Sequence, residues 1–178
     1  SVYKPKIVAV GEIGLDYHWN DNREQQIAAF ERQMDIAREA ELPIIIHSRD
    51  AAKDTYDVMK SNKADEIGGV IHCFSYTKEM AKQFLDMGFY LGIGGVVTFN
   101  NAKKLQEVVE YMPMDRMVIE TDCPYLAPVP NRGKRNDSFN LPYVVSKIAE
   151  IKGISSDEVI DITSENAKKL YGIVQNQI

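Results

Sequence analysis

Apolar and polar positions along this chain follow two periods. Short, nearly continuous apolar runs rich in Val and Ile occur at KIVAV (6–10), PIIIH (43–47), GGVIH (68–72), FYLGIGG (89–95) and RMVIET (116–121). Runs of this kind predict strands covered on both faces, as in a parallel sheet packed between helices. Between them, apolar residues recur at helical spacing. Over 21–41, Ile27, Phe30, Met34 and Ala37 make one apolar face, Asp21 and Glu24 are spaced as a capping box, and Pro43 closes the segment. Further helices are predicted at about 50–61, 77–87, 101–111, 141–152, 156–162 and 164–172. From Asp122 to Asn140 the chain carries Pro124, Pro128, Pro130 and Gly133, which predicts a long irregular loop. Strand and helix therefore alternate five times, the pattern of an α/β fold with parallel strands. No linker or internal repeat divides it, so residues 1–178 read as a single domain.

Composition narrows this picture. At 178 residues and 44% hydrophobic, the chain is long enough to bury a sizeable core, and 26% charged residues suit a soluble protein. No apolar run approaches the roughly 18 residues of a membrane span. The opening SVYKPKIVAV lacks the layout of a signal peptide. Cys73 and Cys123 are the two cysteines, too few for a disulfide framework, and a reducing cytoplasmic setting is expected. A net charge of -5 excludes a broad basic face for nucleic acid. A polyanionic substrate would have to be held by local cations or by metal.

Candidate chemistry lies where the apolar runs end. The first leads to Glu12, the second to His47, the third to His72 and the fifth to Asp122. In parallel α/β folds the carboxyl ends of the strands share one face, so residues far apart in sequence converge there. Two imidazoles and two carboxylates suit a divalent cation such as Zn²⁺ or Mn²⁺, whereas Mg²⁺ leans more on carboxylates and water. Such a cation acidifies water near neutral pH, and a pair of cations stabilises both the attacking and the leaving oxygen of a phosphodiester. Taken singly, a histidine at a strand end is usually structural and an acid usually caps a turn. Ligand types at four equivalent ends point to a metal site.

Other residues carry weaker signals. His18, two residues past Asp16, reads as a loop residue near the site mouth rather than a ligand. Cys73 and Cys123 each follow an expected ligand, so strand alternation would turn their sulfurs away from the metal and make them small core residues. Glu120 shares a face with Asp122 and reads equally as a partner of a ligand or as an ordinary ion pair. Arg132, Lys134 and Arg135 concentrate positive charge in the loop after the fifth strand, where they would hold phosphates or form a solvated turn. Arg49, two past His47, would reach a substrate anion or pair with Asp50 or Asp54. GIGG (92–95) lacks the spacing of a nucleotide loop and reads as close backbone packing.

GEIGLDY (11–17), IIIHSRDA (44–51), IHCFS (71–75), GFYLGIGG (88–95), ETDCPYL (120–126) and PNRGKRND (130–137) together resemble, in order, the motifs of the TatD family of metal-dependent deoxyribonucleases. The resemblance implies a TIM-barrel fold of the amidohydrolase type and hydrolysis of DNA phosphodiesters, typically from the 3′ end, with divalent metal. It implies Glu12 as a ligand able to bridge two metals, His47 and His72 as ligands of one of them, and Asp122 as a ligand that also activates water. Asp137-Ser138 stands where the family usually has Glu-Pro. The family's opening strand with its His-x-His pair is not found, so five of the eight βα units are expected here, without the N-terminal three. On that reading Glu12, His47 and His72 form one metal site, and Asp122 lacks its usual histidine partners. Open sheet edges would then favour self-association. The alternatives are a non-catalytic metal- or nucleic-acid-binding fragment, and a hydrolase of another ester or amide bond on the same scaffold.

Overall fold

The computed structural model describes residues 6–19 and 22–173. The fold is α/β, with parallel strands that follow the order of the chain. Its elements are β1 (Val10–Asp16), α1 (Arg23–Ala40), β2 (Ile44–Arg49), α2 (Ala52–Ser61), β3 (Gly69–Ile71), α3 (Lys78–Asp86), β4 (Tyr90–Ile93), α4 (Lys103–Tyr111), β5 (Met117–Ile119), α5 (Leu141–Lys152) and α6 (Ser156–Tyr171). The chain clusters into two compact units. One holds β1 to β3 with α1 and α2; the other holds residues 73–82 and 91–167.

In the first unit, β1 pairs with β2 and β2 with β3, all parallel. Ile13, Leu15, Ile44, Ile46, Val70 and Ile71 point into the core and are at most 4% exposed. The α1 face expected from spacing packs there through Phe30, Met34 and Ala37. Asp21 of the expected capping box lies outside the described residues. The helix is preceded by Asn22, which makes no side-chain cap, and Glu24 complements the positive helix end in the first turn.

The first strand differs from expectation: it begins where KIVAV ends and runs through GEIGLD. The reason is visible in its alternation. Ile13 and Leu15 are buried, while Glu12, Gly14 and Asp16 take the other face. A half-polar strand does not show up as an apolar run. Val10 pairs with Ile44 and Ile13 with Ile46, so β1 carries one extra residue in this interval, an irregularity of the bulge kind.

In the second unit, Leu91 pairs with Met117 and Ile93 with Ile119. Asn166 of α6 donates to the carbonyls of Met114 and Met117, both at 2.7 Å, tying that helix to the start of β5. The two C-terminal helices expected at 156–162 and 164–172 form one. Thr163, at the expected break, turns its hydroxyl back to the Val159 carbonyl at 2.8 Å and interrupts nothing. Among the described residues no helix is long and apolar enough to cross a membrane.

Gly14 is required by its surroundings. Its φ is +136°, and a Cβ there would lie 2.0 Å from the backbone oxygen of His47, its register partner. Gly14→Ala is expected to cost about 2–3 kcal/mol through strain and displaced backbone, read as a lowered midpoint in urea unfolding.

Candidate metal centre

Glu12, His47 and His72 converge in the first unit. The β1 irregularity spans Gly11 and Glu12, and the Glu12 side chain is 55% exposed. His47 stands on β2 beside Gly14, with its backbone oxygen where a Gly14 side chain would lie. His72 follows β3 directly, and its backbone N–H donates to the Ile46 carbonyl at 3.0 Å, continuing the ladder for one residue. Its side chain is only 8% exposed. Glu12 and His47 thus stand within their strands rather than at the ends, and the polar face of β1, not the end of an apolar run, brings Glu12 in.

The ligand atoms face one another. His47 Nδ1 lies 3.5 Å from His72 Nε2. A Glu12 carboxylate oxygen lies 3.5 Å from His72 Nε2 and 3.9 Å from His47 Nδ1. Ligands about 2.0–2.1 Å from a tetrahedral metal sit about 3.3 Å apart. The three atoms are therefore spaced as a divalent cation requires, and their donor set fits one.

The residue that sequence reasoning missed is Asp16. Its Oδ2 lies 3.0 Å from His47 Nε2. An ionised carboxylate only accepts, so Nε2 carries the proton and a lone pair remains on Nδ1, on the side of Glu12 and His72. Asp16 is itself held. Gln26 of α1 accepts from its backbone N–H and donates to its carbonyl, both at 2.8 Å, and Asp16 Oδ1 accepts from the His18 backbone N–H at 2.9 Å. Burial raises the Asp16 pKa, but the His18 N–H, the interaction with His47 and the charge of Arg49 outweigh it and leave it below its ordinary 3.8. The available signal was period two: Asp16 is four residues past Glu12 on the same strand face.

The remaining expected residues fall in both units. In the first, Arg49 pairs with neither Asp50 nor Asp54: its guanidinium lies over the Trp19 ring, 5.6 Å from the centroid. Asp50 instead meets His18 Nδ1 at 3.1 Å, and Asp54 accepts from the Tyr17 hydroxyl at 2.9 Å. His18 is a loop residue, as expected.

In the second unit, Asp122 has a left-handed backbone, φ +53°, and its carbonyl accepts from Tyr125 in a turn. Cys73 corrects an expectation. Strand geometry stops at Ile71, and Cys73 has φ +47°, so alternation no longer governs its sulfur. That sulfur lies within 4.8 Å of an Asp122 carboxylate oxygen. Cys123 is exposed, not a core residue. Glu120 accepts a short hydrogen bond from the Cys73 backbone N–H, which holds the chain just past β3. Gly95 of GIGG serves close packing: a Cβ there would lie 2.2 Å from the Leu126 oxygen and 2.9 Å from the Pro128 nitrogen.

The basic loop is scaffolded by three asparagines. Asn136, 2% exposed, donates to the carbonyls of Thr121 and Tyr125 at 2.6 and 2.7 Å. Asn140 donates to Asn136 Oδ1 at 2.9 Å, and Asn131 to Asn140 Oδ1 at 2.8 Å. Asp137 caps the short 3-10 turn over Ser138–Asn140 by accepting from the Phe139 N–H. Arg132, Lys134 and Arg135 are exposed on this frame, with Arg132 over the Phe99 ring at 4.3 Å.

Parallel strands carrying a clustered imidazole–carboxylate set define the class: an α/β protein with a candidate divalent-metal centre. A family model described as TatD related DNase matches residues 2–172, and the chain belongs to that family. It is 49% identical over 169 residues to a Bacillus subtilis (strain 168) protein named as the uncharacterized metal-dependent hydrolase YabD, covering 94% of this chain and 66% of that one. It is 37% identical over 175 residues to a Rahnella sp. (strain Y9602) protein named 3′-5′ ssDNA/RNA exonuclease TatD, covering 95% and 66%. The crystal structure of the TatD homolog YJJV from Escherichia coli K12 matches with a TM-score of 0.89 at 29% identity, covering 95% and 65%, and a fold of the TIM-barrel type is consistent with that likeness. The chain spans about two thirds of the length of these relatives.

Three outcomes follow from the geometry. Asp16→Ala is expected to lose the Nε2–H form of His47, seen in imidazole ¹⁵N shifts of the metal-free protein, and to weaken Zn²⁺ binding about 10- to 100-fold by titration calorimetry. Because the Asp16 pKa is lowered, its contribution to stability is present above pH 3.8 and is lost as pH falls through the lowered value. Asn136→Leu leaves buried carbonyls without a donor and is expected to cost about 2 kcal/mol in urea unfolding.

Proposed function

We propose that this chain carries the metal site of a hydrolase that cuts phosphodiester bonds in nucleic acid, most simply DNA from the 3′ end. The observation that carries the reading is the arrangement of His47: Asp16 on one nitrogen, Glu12 and His72 around the other. That arrangement serves a cation better than it serves stability. Two uncharged imidazole nitrogens 3.5 Å apart otherwise repel through their lone pairs unless a proton lies between them. Membership in the TatD related DNase family and the name of the Rahnella relative support this substrate class.

On this reading Glu12, His47 and His72 hold a divalent ion (Mg²⁺, Mn²⁺ or Zn²⁺), which when bound polarises a phosphoryl oxygen and acidifies water. Glu12, the most exposed of the three, is also free to reach toward a second ion. Asp122 is assigned by its motif as a further ligand and as the carboxylate that orients the attacking water and takes its proton. Arg49, Arg132, Lys134 and Arg135 neutralise flanking phosphates, which in a chain of net charge -5 is the work of local groups.

The test is cleavage of single-stranded DNA labelled at the 3′ terminus, with Mg²⁺, Mn²⁺ or Zn²⁺ added in turn. Chelation is expected to abolish release of the terminal nucleotide, and His47→Ala and Asp122→Ala to lower it at least 100-fold. Wild-type rates in both variants would overturn the assignment.

A further inference from the structure

Trp19 is the only tryptophan in the chain, and its surface is 77% exposed. Placing so large an aromatic in water forgoes most of the burial that usually retains it. The segment that carries it is nonetheless anchored on several sides. The Tyr17 N–H donates to the Arg49 carbonyl at 3.0 Å, and the Tyr17 hydroxyl to Asp54 at 2.9 Å. The His18 N–H donates to Asp16, and the His18 ring meets Asp50 at 3.1 Å. The His18 ring then stands edge-on to the indole, with centroids 4.6 Å apart and planes at 87°. Arg49 brings its cation to the indole ring, 5.6 Å from the centroid. An aromatic surface beside a guanidinium is what an unpaired nucleobase and its phosphate require.

We infer that Trp19 and Arg49 form a stacking subsite for one base of a single-stranded nucleic acid. The inference deepens the nuclease reading and rests on it. Trp19 is three residues past Asp16, so its Cα lies within about 11 Å of the residue that orients His47. A base stacked there positions the strand by its face, a sequence-tolerant contact, while Arg49 takes the adjoining phosphate. Double-stranded ends offer no such free base, so the subsite favours single strands.

The single tryptophan makes the test direct. Oligodeoxynucleotide is added to the full chain in chelator, which prevents cleavage. Binding is followed by anisotropy of a dye on the oligonucleotide, and stacking by quenching of Trp19 fluorescence. The expected result is quenching that tracks binding and is lost with an oligonucleotide made abasic at its 3′-terminal residues. Trp19→Ala is expected to weaken binding about tenfold, and Trp19→Phe, which keeps an aromatic face, to restore most of it. Binding by anisotropy without a change in Trp19 fluorescence overturns the subsite and leaves the nuclease reading standing. Equal affinity in wild type and Trp19→Ala does the same. Absence of both binding and 3′-end cleavage overturns both.

Discussion

The imidazole of His47 has two nitrogens, and the candidate centre depends on which one carries the proton. The ionised carboxylate of Asp16, 3.0 Å from Nε2, decides it. A neutral imidazole has one donor and one acceptor, so a proton held at Nε2 leaves the Nδ1 lone pair toward Glu12 and His72. The same carboxylate accepts from the His18 N–H, and Gln26 clamps the backbone on both sides of it. Helix α1 is thereby tied through Gln26 to the residue that orients His47.

Geometry upstream of that contact makes it available. The extra residue in β1 lies between Val10 and Ile13, in the interval that carries Glu12. Beyond it the strand alternates again, with Ile13 and Leu15 in the core and Gly14 and Asp16 on the other face. Gly14 lies directly beside His47, and any side chain there would meet the His47 backbone. The buried isoleucines of β2 secure the register, since a one-residue slip would exchange Ile44 and Ile46 for Ile45 and His47 in the core.

The second unit solves a different problem with uncharged groups. A proline-rich loop offers few backbone hydrogen bonds of its own, and its carbonyls need donors. Asn136 supplies them to Thr121 and Tyr125, Asn140 and Asn131 brace Asn136 in series through its side-chain oxygen, and close packing at Gly95 seats the chain from Leu126 to Pro128. The exposed cations of the loop thus ride on a fixed frame.

Much of this was legible in the sequence because hydrophobic periodicity is a local property. Strands β2 to β5 and the core face of α1 follow from where Ile, Val, Phe and Met recur, and ligand residue types after the runs marked Glu12, His47 and His72. Three features were not legible, each for a physical reason. Strand β1 is half polar, so the apolar run stops at its first residue, and Asp16 drew no assignment. Cys73 leaves strand geometry at once, which alternation alone does not foresee. The partners of Arg49, Asp50 and Asp54 are exchanged among Trp19, His18 and Tyr17, because charge pairs at a strand end are chosen by side-chain reach. The sequence by itself determined which residues are able to bind a metal and which faces are buried. The tertiary structure decided which nitrogen of His47 is free, because that rests on a carboxylate 31 positions away and on the helix that holds it.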